Sequence, residues 1–277
     1  TQLFSGSKNG SIYKFGNIDG NLKETFSVDS AVQNIWEGVI SVVAIGNSLA
    51  VLTEGYPYIF SGSTPESMVG RKLESNQSCV SKHSSVIVNG AIFYASPDGI
   101  VQLTTDNAVT ISESIITQKQ WQAMEPQTIK AYFQEGKYFA LYGQLLNKGF
   151  VFDPSTGDFR HFDHIADCGF NSLIDDHLYL CNNGSISIWE GGSDFIEQQW
   201  RSKEFHFSDI NFNCGIVVAD NLNDVGLRIY CDKNEVIHKA PGSLNKFAFR
   251  LPNNRGDVWE FEVYGTSEVK KVIIAQS

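Results

Sequence analysis

The chain has 277 residues, enough for one large or two ordinary domains, and its 42% hydrophobic and 19% charged residues are typical of a globular protein. The net charge of −10 lies within residues 1–197, because residues 198–277 contain ten basic and ten acidic residues. This acidity argues against a surface that grips nucleic-acid phosphates, and the absence of apolar runs of roughly 18 residues argues against membrane insertion.

The chain begins with a strand-like stretch at Leu3 and Phe4, and no signal peptide is visible. We therefore expect the natural polypeptide to begin before Thr1. The next feature is an internal repeat, in which a polar turn, an apolar strand, a Gly-containing turn and a second strand follow one another. It occupies Asn47–Phe60, Asn89–Leu103, Glu135–Asp153 and Asp175–Trp189, and Asn9–Phe15 matches its second half.

The glycines Gly10, Gly55, Gly99, Gly149 and Gly184 mark the repeats, at spacings of 45, 44, 50 and 35 residues. Repeats of about 40–50 residues made of short strands are typical of β-propeller blades. A series of unrelated hairpins in a sandwich is the alternative. The composition of Asp153–Asp158, with Pro and Gly, predicts a turn.

One stretch of the repeat region has helical character. Strong helix formers follow Thr117, and Gln120 stands three residues later, where it completes a capping box. The pattern predicts a short helix near 118–124, inserted between blades and ending near Pro126.

After Trp200 the pattern changes to strands separated by Asn-rich turns. Strict alternation of apolar and acidic residues in Trp259–Val263 predicts one buried and one solvated face. We predict seven strands, at Glu204–Phe207, Phe212–Ala219, Val225–Cys231, Glu235–Lys239, Lys246–Leu251, Val258–Tyr264 and Val269–Ala275. The predicted fold is therefore all-β, with a β-propeller at 1–195, incomplete or truncated at its N-terminus, and a small β-sandwich at 196–277. The Gly191-Gly192-Ser193 segment marks the boundary.

No residue pattern indicates a catalytic, cofactor-binding or metal site, so we predict no enzyme activity and no cofactor. His161 and His164, beside Asp163 and Asp167, are on non-helical backbone that does not bring both rings to one face, and we interpret them as solvated turn residues. Asp175–His177 is likewise interpreted as a hairpin turn. A glycosidase with two catalytic carboxylates remains an alternative, because such a pair is recognised by the distance between its members in the folded protein and not by a sequence motif.

The sequence contains five widely spaced cysteines and no CxxC pair. We interpret them as free buried thiols of a reduced compartment, in preference to disulfides or a zinc site. They are Cys79, Cys168, Cys181, Cys214 and Cys231.

An ordered set of short segments resembles a family of phage proteins. The segments are Gly55–Gly62, Gln77–Lys82, Tyr94–Gly99, Gln120-Trp121, Gly149–Pro154 and Trp200–Lys203. In this order they are similar to the propeller-bearing nozzle, or tail tubular, proteins of short-tailed bacteriophages and their relatives. The resemblance covers roughly residues 40 to 277.

This resemblance implies a structural virion protein, assembled in the host cytoplasm, that forms a ring with copies of itself, commonly sixfold, and contacts neighbouring tail proteins. DNA would pass through that ring only as cargo, and an acidic wall would keep it from adhering. The alternative from another functional class is a receptor- or glycan-binding module on a virion or cell surface.

Overall fold

The computed structural model describes residues 37–63, 67–172, 174–193 and 195–276, and the strand backbones within residues 1–36. The chain divides into two compact units, Thr1–Gly191 (unit 1) and Gly192–Ser277 (unit 2). In the described residues both units are built from small antiparallel sheets, which confirms the all-β prediction. The predicted blade half at Asn9–Phe15 lies mostly outside the described residues; only the strand Ile12–Phe15 is described there.

In unit 1 each strand pairs with its neighbour in the sequence, so every sheet is a simple meander. Sheet 1 consists of β1 (Leu3–Gly6), β2 (Ile12–Phe15) and β3 (Thr25–Ser27). Sheet 2 consists of β4 (Val39–Ile45), β5 (Ser48–Thr53), β6 (Tyr58–Ser61) and β7 (Val69–Lys72). Sheet 3 consists of β8 (Val86–Val88), β9 (Ala91–Ala95), β10 (Ile100–Leu103) and β11 (Ala108–Thr110).

Sheets 4 and 5 continue the series towards the end of unit 1. Sheet 4 consists of β12 (Lys130–Gln134), β13 (Lys137–Tyr142), β14 (Lys148–Phe152) and β15 (Phe159–Asp163). Sheet 5 consists of β16 (Cys168–Asn171), β17 (Leu178–Asn182) and β18 (Ser185–Ile188). In three of the four neighbouring pairs of sheets the first strands lie beside each other: β1 with β4, β8 with β12 and β12 with β16. Between sheets 2 and 3, β4 lies beside β9, the second strand of sheet 3.

The second strand of sheets 2, 3 and 4 is apolar and buried at nearly every position. Because successive side chains of a strand point to opposite faces, such a strand must be covered on both sides. The core clusters identify the covering sheets: Ala50 and Leu52 pack with Tyr94, Phe93 packs with Tyr138, and Phe139 packs with Leu178. Sheets 2 to 5 therefore stack face to face in series.

A short helix connects sheets 3 and 4 and confirms the sequence prediction. Helix α1 (Gln118–Ala123) begins after the N-cap Thr117, whose hydroxyl accepts from the Gln120 N–H while the Gln120 side chain bonds back to Thr117. A 3₁₀ turn, Pro126–Thr128, follows it. The buried Trp121 indole donates to the Ser96 carbonyl at 2.8 Å and packs edge-on against Phe150, which ties the helix to both sheets.

The repeats predicted from the sequence are the hairpins formed by the second and third strands of sheets 2 to 5. One marker glycine was misplaced: Gly149 lies inside β14, where the Phe162 ring occupies the space that a Cβ would need. The turn between β13 and β14 contains Gly143 instead, at a φ of +88°. Measured from Gly143, the neighbouring spacings become 143 − 99 = 44 and 184 − 143 = 41, a more even repeat than the predicted one.

Unit 2 has two sheets that share an apolar core. Sheet 6 has the strand order β19-β25-β22-β23, with β20 also paired to β25. Its strands are β19 (Gln198–Arg201), β20 (Phe205–Ile210), β22 (Val225–Cys231), β23 (Asn234–Lys239) and β25 (Gly256–Gly265). Sheet 7 is formed by β24 (Phe249–Arg250), β21 (Cys214–Ala219) and β26 (Val269–Ala275), and a 3₁₀ turn covers Leu222–Asp224.

The strand prediction for this unit was right for most strands and wrong in three places. Strand β19 was missed, and the strand predicted at Lys246–Leu251 shrinks to Phe249–Arg250. The strand predicted at Glu204–Phe207 starts one residue later and runs on to Ile210. Strands β19 and β20 both pair with β25, which spans ten residues, and such long-range pairing leaves no local sequence signal.

Candidate interaction surfaces

The residues considered for metal binding have separate partners in the structure. The His161 ring lies against Phe159, and burial lowers the pKa of His161. The His164 ring meets Trp189 edge-on. Asp167 accepts a hydrogen bond from the Asn183 N–H at 2.9 Å. Among the described residues, no group of three His, Cys, Asp or Glu side chains is arranged to hold a metal ion.

Asp175–His177 forms the hairpin turn between β16 and β17, as predicted. The Asp175 carboxylate accepts from the Tyr179 hydroxyl at 2.6 Å, and Asp176 has a φ of +56°. The Asp153–Asp158 turn is confirmed too, with Gly157 at a φ of +79°.

Sheet 5 has one covered face and one exposed face. Leu178 and Leu180 point to sheet 4 and are buried. Because directly opposite residues share a face, the strand register brings the other set together on the opposite side. We call this set the outer face of sheet 5: Cys168, Phe170, Tyr179, Cys181, Ile186 and Ile188.

This outer face is apolar although it meets solvent. Phe170 is 48% exposed, Ile186 64% and Ile188 40%. The Phe170 and Tyr179 rings stack at 5.0 Å with an interplanar angle of 7°. Every residue of β18 is exposed, and among the described strands none pairs with its free edge. An uncovered apolar sheet face beside an unpaired edge strand is a typical site of protein association.

Sheet 6 has a polar outer face instead, formed by the alternate residues of β25 and its neighbours. Arg201 makes a two-pronged ion pair with Glu260, at 3.0 and 2.9 Å, and its guanidinium lies 4.1 Å from the centre of the Tyr230 ring. Arg228 bonds Glu262 at 2.8 Å. The hydrogen bond to Glu260 raises the pKa of Arg201 against the opposing effect of burial. For Arg228 burial lowers the pKa, but the hydrogen bond and charge of Glu262 outweigh it, so the pKa is raised.

The prediction that the acidic face of Trp259–Val263 is solvated was wrong for Glu262. The Glu262 side chain is only 4% exposed, because Arg201 and Arg228 lie directly opposite it on the two neighbouring strands. Their long side chains cover the carboxylate while they neutralise it. The alternation correctly predicted the face on which Glu262 lies and missed the arginines that bury it.

A group of aromatic rings lies on the other face of sheet 6, near the edge formed by β19 and β20. Trp200 and Phe205 both contact the Phe261 ring, at 5.7 and 5.8 Å. Trp200 is 54% exposed, and Phe207 is exposed as well. We call Trp200, Phe205, Phe207 and Phe261 the aromatic edge of unit 2.

The acidic residues of unit 1 stand mainly in turns. Strands β4, β8, β12 and β16 contain no Asp or Glu, whereas Asp98, Asp106, Asp153 and Asp175 are turn residues. A shallow open depression is lined by Tyr56, Lys72, Glu74 and Asn76, with the Lys72 ammonium 3.3 Å from the centre of the Tyr56 ring. Glu74 is the single carboxylate among those four lining residues.

The cysteines were predicted to be buried free thiols. All five are in the described residues and are free, but only Cys79 and Cys231 are buried. Cys168 is exposed, and Cys181 and Cys214 are half-buried, so the prediction of burial was wrong for these three. Among the described helices, none is long and apolar enough to cross a bilayer.

No protein-family model matches the chain, and a comparison with curated proteins finds no match either. Some solved structures are similar. A protein of unknown function from Bacteroides caccae has a TM-score of 0.40 at 10% identity, over 68% of this chain and 70% of that one. For U3-55K the TM-score is 0.45 at 13% identity, over 68% and 57%. For Saccharomyces cerevisiae Sqt1 it is 0.41 at 12%, over 68% and 54%. With TM-scores below 0.5 and identities of 10–13%, these similarities support no conclusion about this chain.

Proposed function

We propose that this chain is a structural virion protein of a phage tail and forms part of an oligomeric nozzle ring through which DNA is ejected. In this proposal unit 1 is a β-propeller, unit 2 is a β-sandwich, and neither is an enzyme. The partners are copies of the chain itself, in a ring such as a hexamer, and neighbouring tail proteins. The proposal is supported by the ordered segments that resemble nozzle proteins and by the stacking of sheets 2 to 5.

The main support for a propeller fold in unit 1 is the burial of β5, β9 and β13 on both faces. In a sandwich each sheet has one covered face, so a sheet with two covered faces needs a neighbour on each side. In three of the four neighbouring pairs of sheets the first strands lie together, and no residue of the last strands β7, β11 and β15 is buried. Contacts between first strands and unburied last strands are expected of blades arranged around an axis, and they support the proposed propeller.

The outer face of sheet 5 supports self-association. This face is apolar, like the sheet faces that pack against each other inside unit 1. A second copy of the chain could cover it with a contact of the same kind. Burying the exposed parts of Phe170, Ile186 and Ile188 is favourable at roughly 25 cal/mol per Å² of apolar surface. The acidic turns supply negative charge to whichever surface faces the DNA, and that charge repels its phosphates.

The test is a measurement of mass and shape. Native mass spectrometry and electron microscopy of the full chain at micromolar concentration should give a closed ring of several copies. The double variant Ile186→Glu/Ile188→Glu should shift the population to monomers by at least tenfold. The double variant Val69→Glu/Val109→Glu is the matched control, because both valines are exposed on last strands. A stable wild-type monomer would contradict the proposal.

Receptor or glycan binding is the second candidate, and the aromatic edge of unit 2 favours it. Exposed aromatic rings such as Trp200 offer flat apolar surfaces for sugar rings or for a partner protein. A glycan array probed with wild type and Trp200→Ala separates the two candidates. Binding of the wild type that the variant loses would favour the receptor module, and no binding by either would leave the tail protein as the better proposal.

A further inference from the structure

Two cysteines face each other across the hairpin of β16 and β17. The strand register pairs Cys168 directly with Cys181, so both side chains point from the same face of sheet 5. Directly opposite residues of antiparallel strands have Cα atoms about 4.5 or 5.5 Å apart, depending on the hydrogen-bond pattern. Disulfides span Cα distances of roughly 4.4 to 6.8 Å, so the backbone already has the spacing that a disulfide needs.

The two thiols differ in accessibility. Partial burial and the neighbouring Cys168 raise the pKa of Cys181. Cys168 is exposed, so an oxidant in solution can reach it first.

The other cysteines are placed differently. The Cys79 thiol is buried and donates to the Ser81 carbonyl at 3.3 Å, and the Cys214 thiol donates to the Ala275 carbonyl at 3.5 Å. Cys231 is buried in the core of unit 2. The strand registers of the described sheets place none of these three opposite another cysteine.

We propose that Cys168 and Cys181 form an oxidisable pair, which a two-electron oxidant such as hydrogen peroxide converts to an intrachain disulfide. The Cys168 sulfur attacks one peroxide oxygen, the O–O bond breaks, and a sulfenic acid and one water form. The Cys181 sulfur then attacks the Cys168 sulfur, the S–O bond breaks, and a second water leaves with the thiol proton. Two thiols and one peroxide thus give one disulfide and two waters.

The disulfide would fasten β16 to β17 at the end of the strand pair remote from the Asp175 turn. Sheet 5 has three strands and one exposed face, so its hairpin has fewer covering contacts than the hairpins of sheets 2 to 4. Oxidation should therefore raise the melting temperature of unit 1 by about 5 °C. This inference concerns one hairpin of a single chain and does not need the proposed ring. Because a second copy seated on the outer face of sheet 5 would cover both cysteines, the oxidation is done at a concentration at which the chain is monomeric.

The experiment treats the full chain with hydrogen peroxide under non-denaturing conditions and then counts thiols after denaturation. Wild type should fall from five thiols to three, with a peptide map that links Cys168 to Cys181. Cys214→Ser is the matched control and should fall from four to two. Cys168→Ser should retain all of its four thiols at the same peroxide dose.

Two results would overturn the proposal. One is a peptide map in which Cys168 and Cys181 stay reduced, or are oxidised separately to sulfinic acids, while the protein remains folded. The other is a disulfide that links two chains, visible as a dimer on a non-reducing gel. The wild-type peptide map decides the question even if the serine variants fold poorly.

Discussion

Unit 1 and unit 2 are both made of small antiparallel sheets, yet they bury their strands in different ways. In unit 1 the second strand of a sheet is covered on both faces, and Tyr138–Tyr142 in β13 is buried at every position. In unit 2 the central strand β25 alternates, with Trp259 and Val263 in the core and Glu260 on the outer face. The difference shows that the apolar pattern of a strand indicates whether its sheet is covered on one face or on both.

The difference extends to how each unit is held together. Three core clusters of unit 1 are each shared by two neighbouring sheets, so sheets 2 to 5 depend on one another in series. Unit 2 has a core cluster between its two sheets and adds ion pairs on the outside, with Glu262 at their centre. Variants that remove one kind of contact should therefore affect one unit and leave the other intact.

The largest effect is expected for Trp121→Ala, which empties the contact between α1 and sheets 3 and 4. The side chain is 1% exposed, and its loss also leaves the Ser96 carbonyl without its donor. We expect the free energy of unfolding of unit 1 to fall by about 3–5 kcal/mol. Hydrogen exchange should show lost protection in sheets 3 and 4, with unit 2 unchanged. Trp200→Ala is the matched control, and an equal loss there would contradict the comparison.

The next effect concerns the charges of unit 2. Arg228→Met leaves the covered Glu262 carboxylate without its nearest cation, and we expect the denaturation midpoint to fall clearly, though less than for a fully buried pair because Arg228 is partly exposed. Chemical denaturation measures it. Arg255→Met, which breaks an exposed pair with Asp209, should cost under about 0.5 kcal/mol. The double variant Arg228→Met/Glu262→Met should recover part of the loss, and no recovery would mean that packing rather than charge is responsible.

A pH titration should reveal the buried thiol of Cys79, which lies in the segment between sheets 2 and 3. Burial raises the pKa of Cys79 from 9.0 to about 11, so the folded state keeps a proton that the unfolded chain loses. The resulting stability is complete below pH 9 and is lost as pH rises to 11, by roughly 2–3 kcal/mol. Melting temperatures measured across this range should fall less for Cys79→Ala than for wild type. A parallel pH dependence of the two proteins would exclude Cys79 as the cause.

Ionisation of Tyr58 should extend the loss of folding stability to higher pH. Burial and the hydrogen bond that its hydroxyl donates to Glu37 at 2.8 Å raise the pKa of Tyr58 to about 12. The unfolded tyrosine ionises near pH 10, so stability should go on falling between pH 10 and 12. Tyr58→Phe should reduce the slope in that window only.

The smallest effect is expected at the N-cap of α1. Thr117→Ala removes the hydroxyl that accepts from the Gln120 N–H and should cost about 1 kcal/mol. Thr117→Ser keeps that acceptor and should stay within a few tenths of wild type. Thermal unfolding of the two variants measures the difference, and equal losses would mean that the capping box contributes nothing.

The parts of the fold that were predictable from the sequence are those that depend on neighbours along the chain. The capping box of Thr117 and Gln120, the turn at Asp153–Asp158 and the hairpins of the repeat all follow from residues within a few positions of each other. The misplaced marker Gly149 is instructive, because a glycine required for packing against Phe162 and a glycine required by a turn look alike in a sequence.

The surfaces were much less predictable. The burial of Glu262 depends on arginines from β19 and β22, which are 61 and 34 residues away. The exposure of Phe170 and Ile186 depends on what covers sheet 5, and the strands themselves look like those of the buried sheets. Cys168 and Cys181 are separated by a turn whose length sets their register, so their pairing required the backbone geometry.

The sequence by itself determined that this protein is all-β, where its hairpins turn and where its helix begins, because backbone hydrogen bonds and turn preferences act over short distances. Only the tertiary structure decided which faces of those hairpins are covered, since burial is set by sheets that meet across tens of residues. The acidic composition of the first 197 residues was visible from the start. Its placement in turns, away from strands β4, β8, β12 and β16, was a result of the fold.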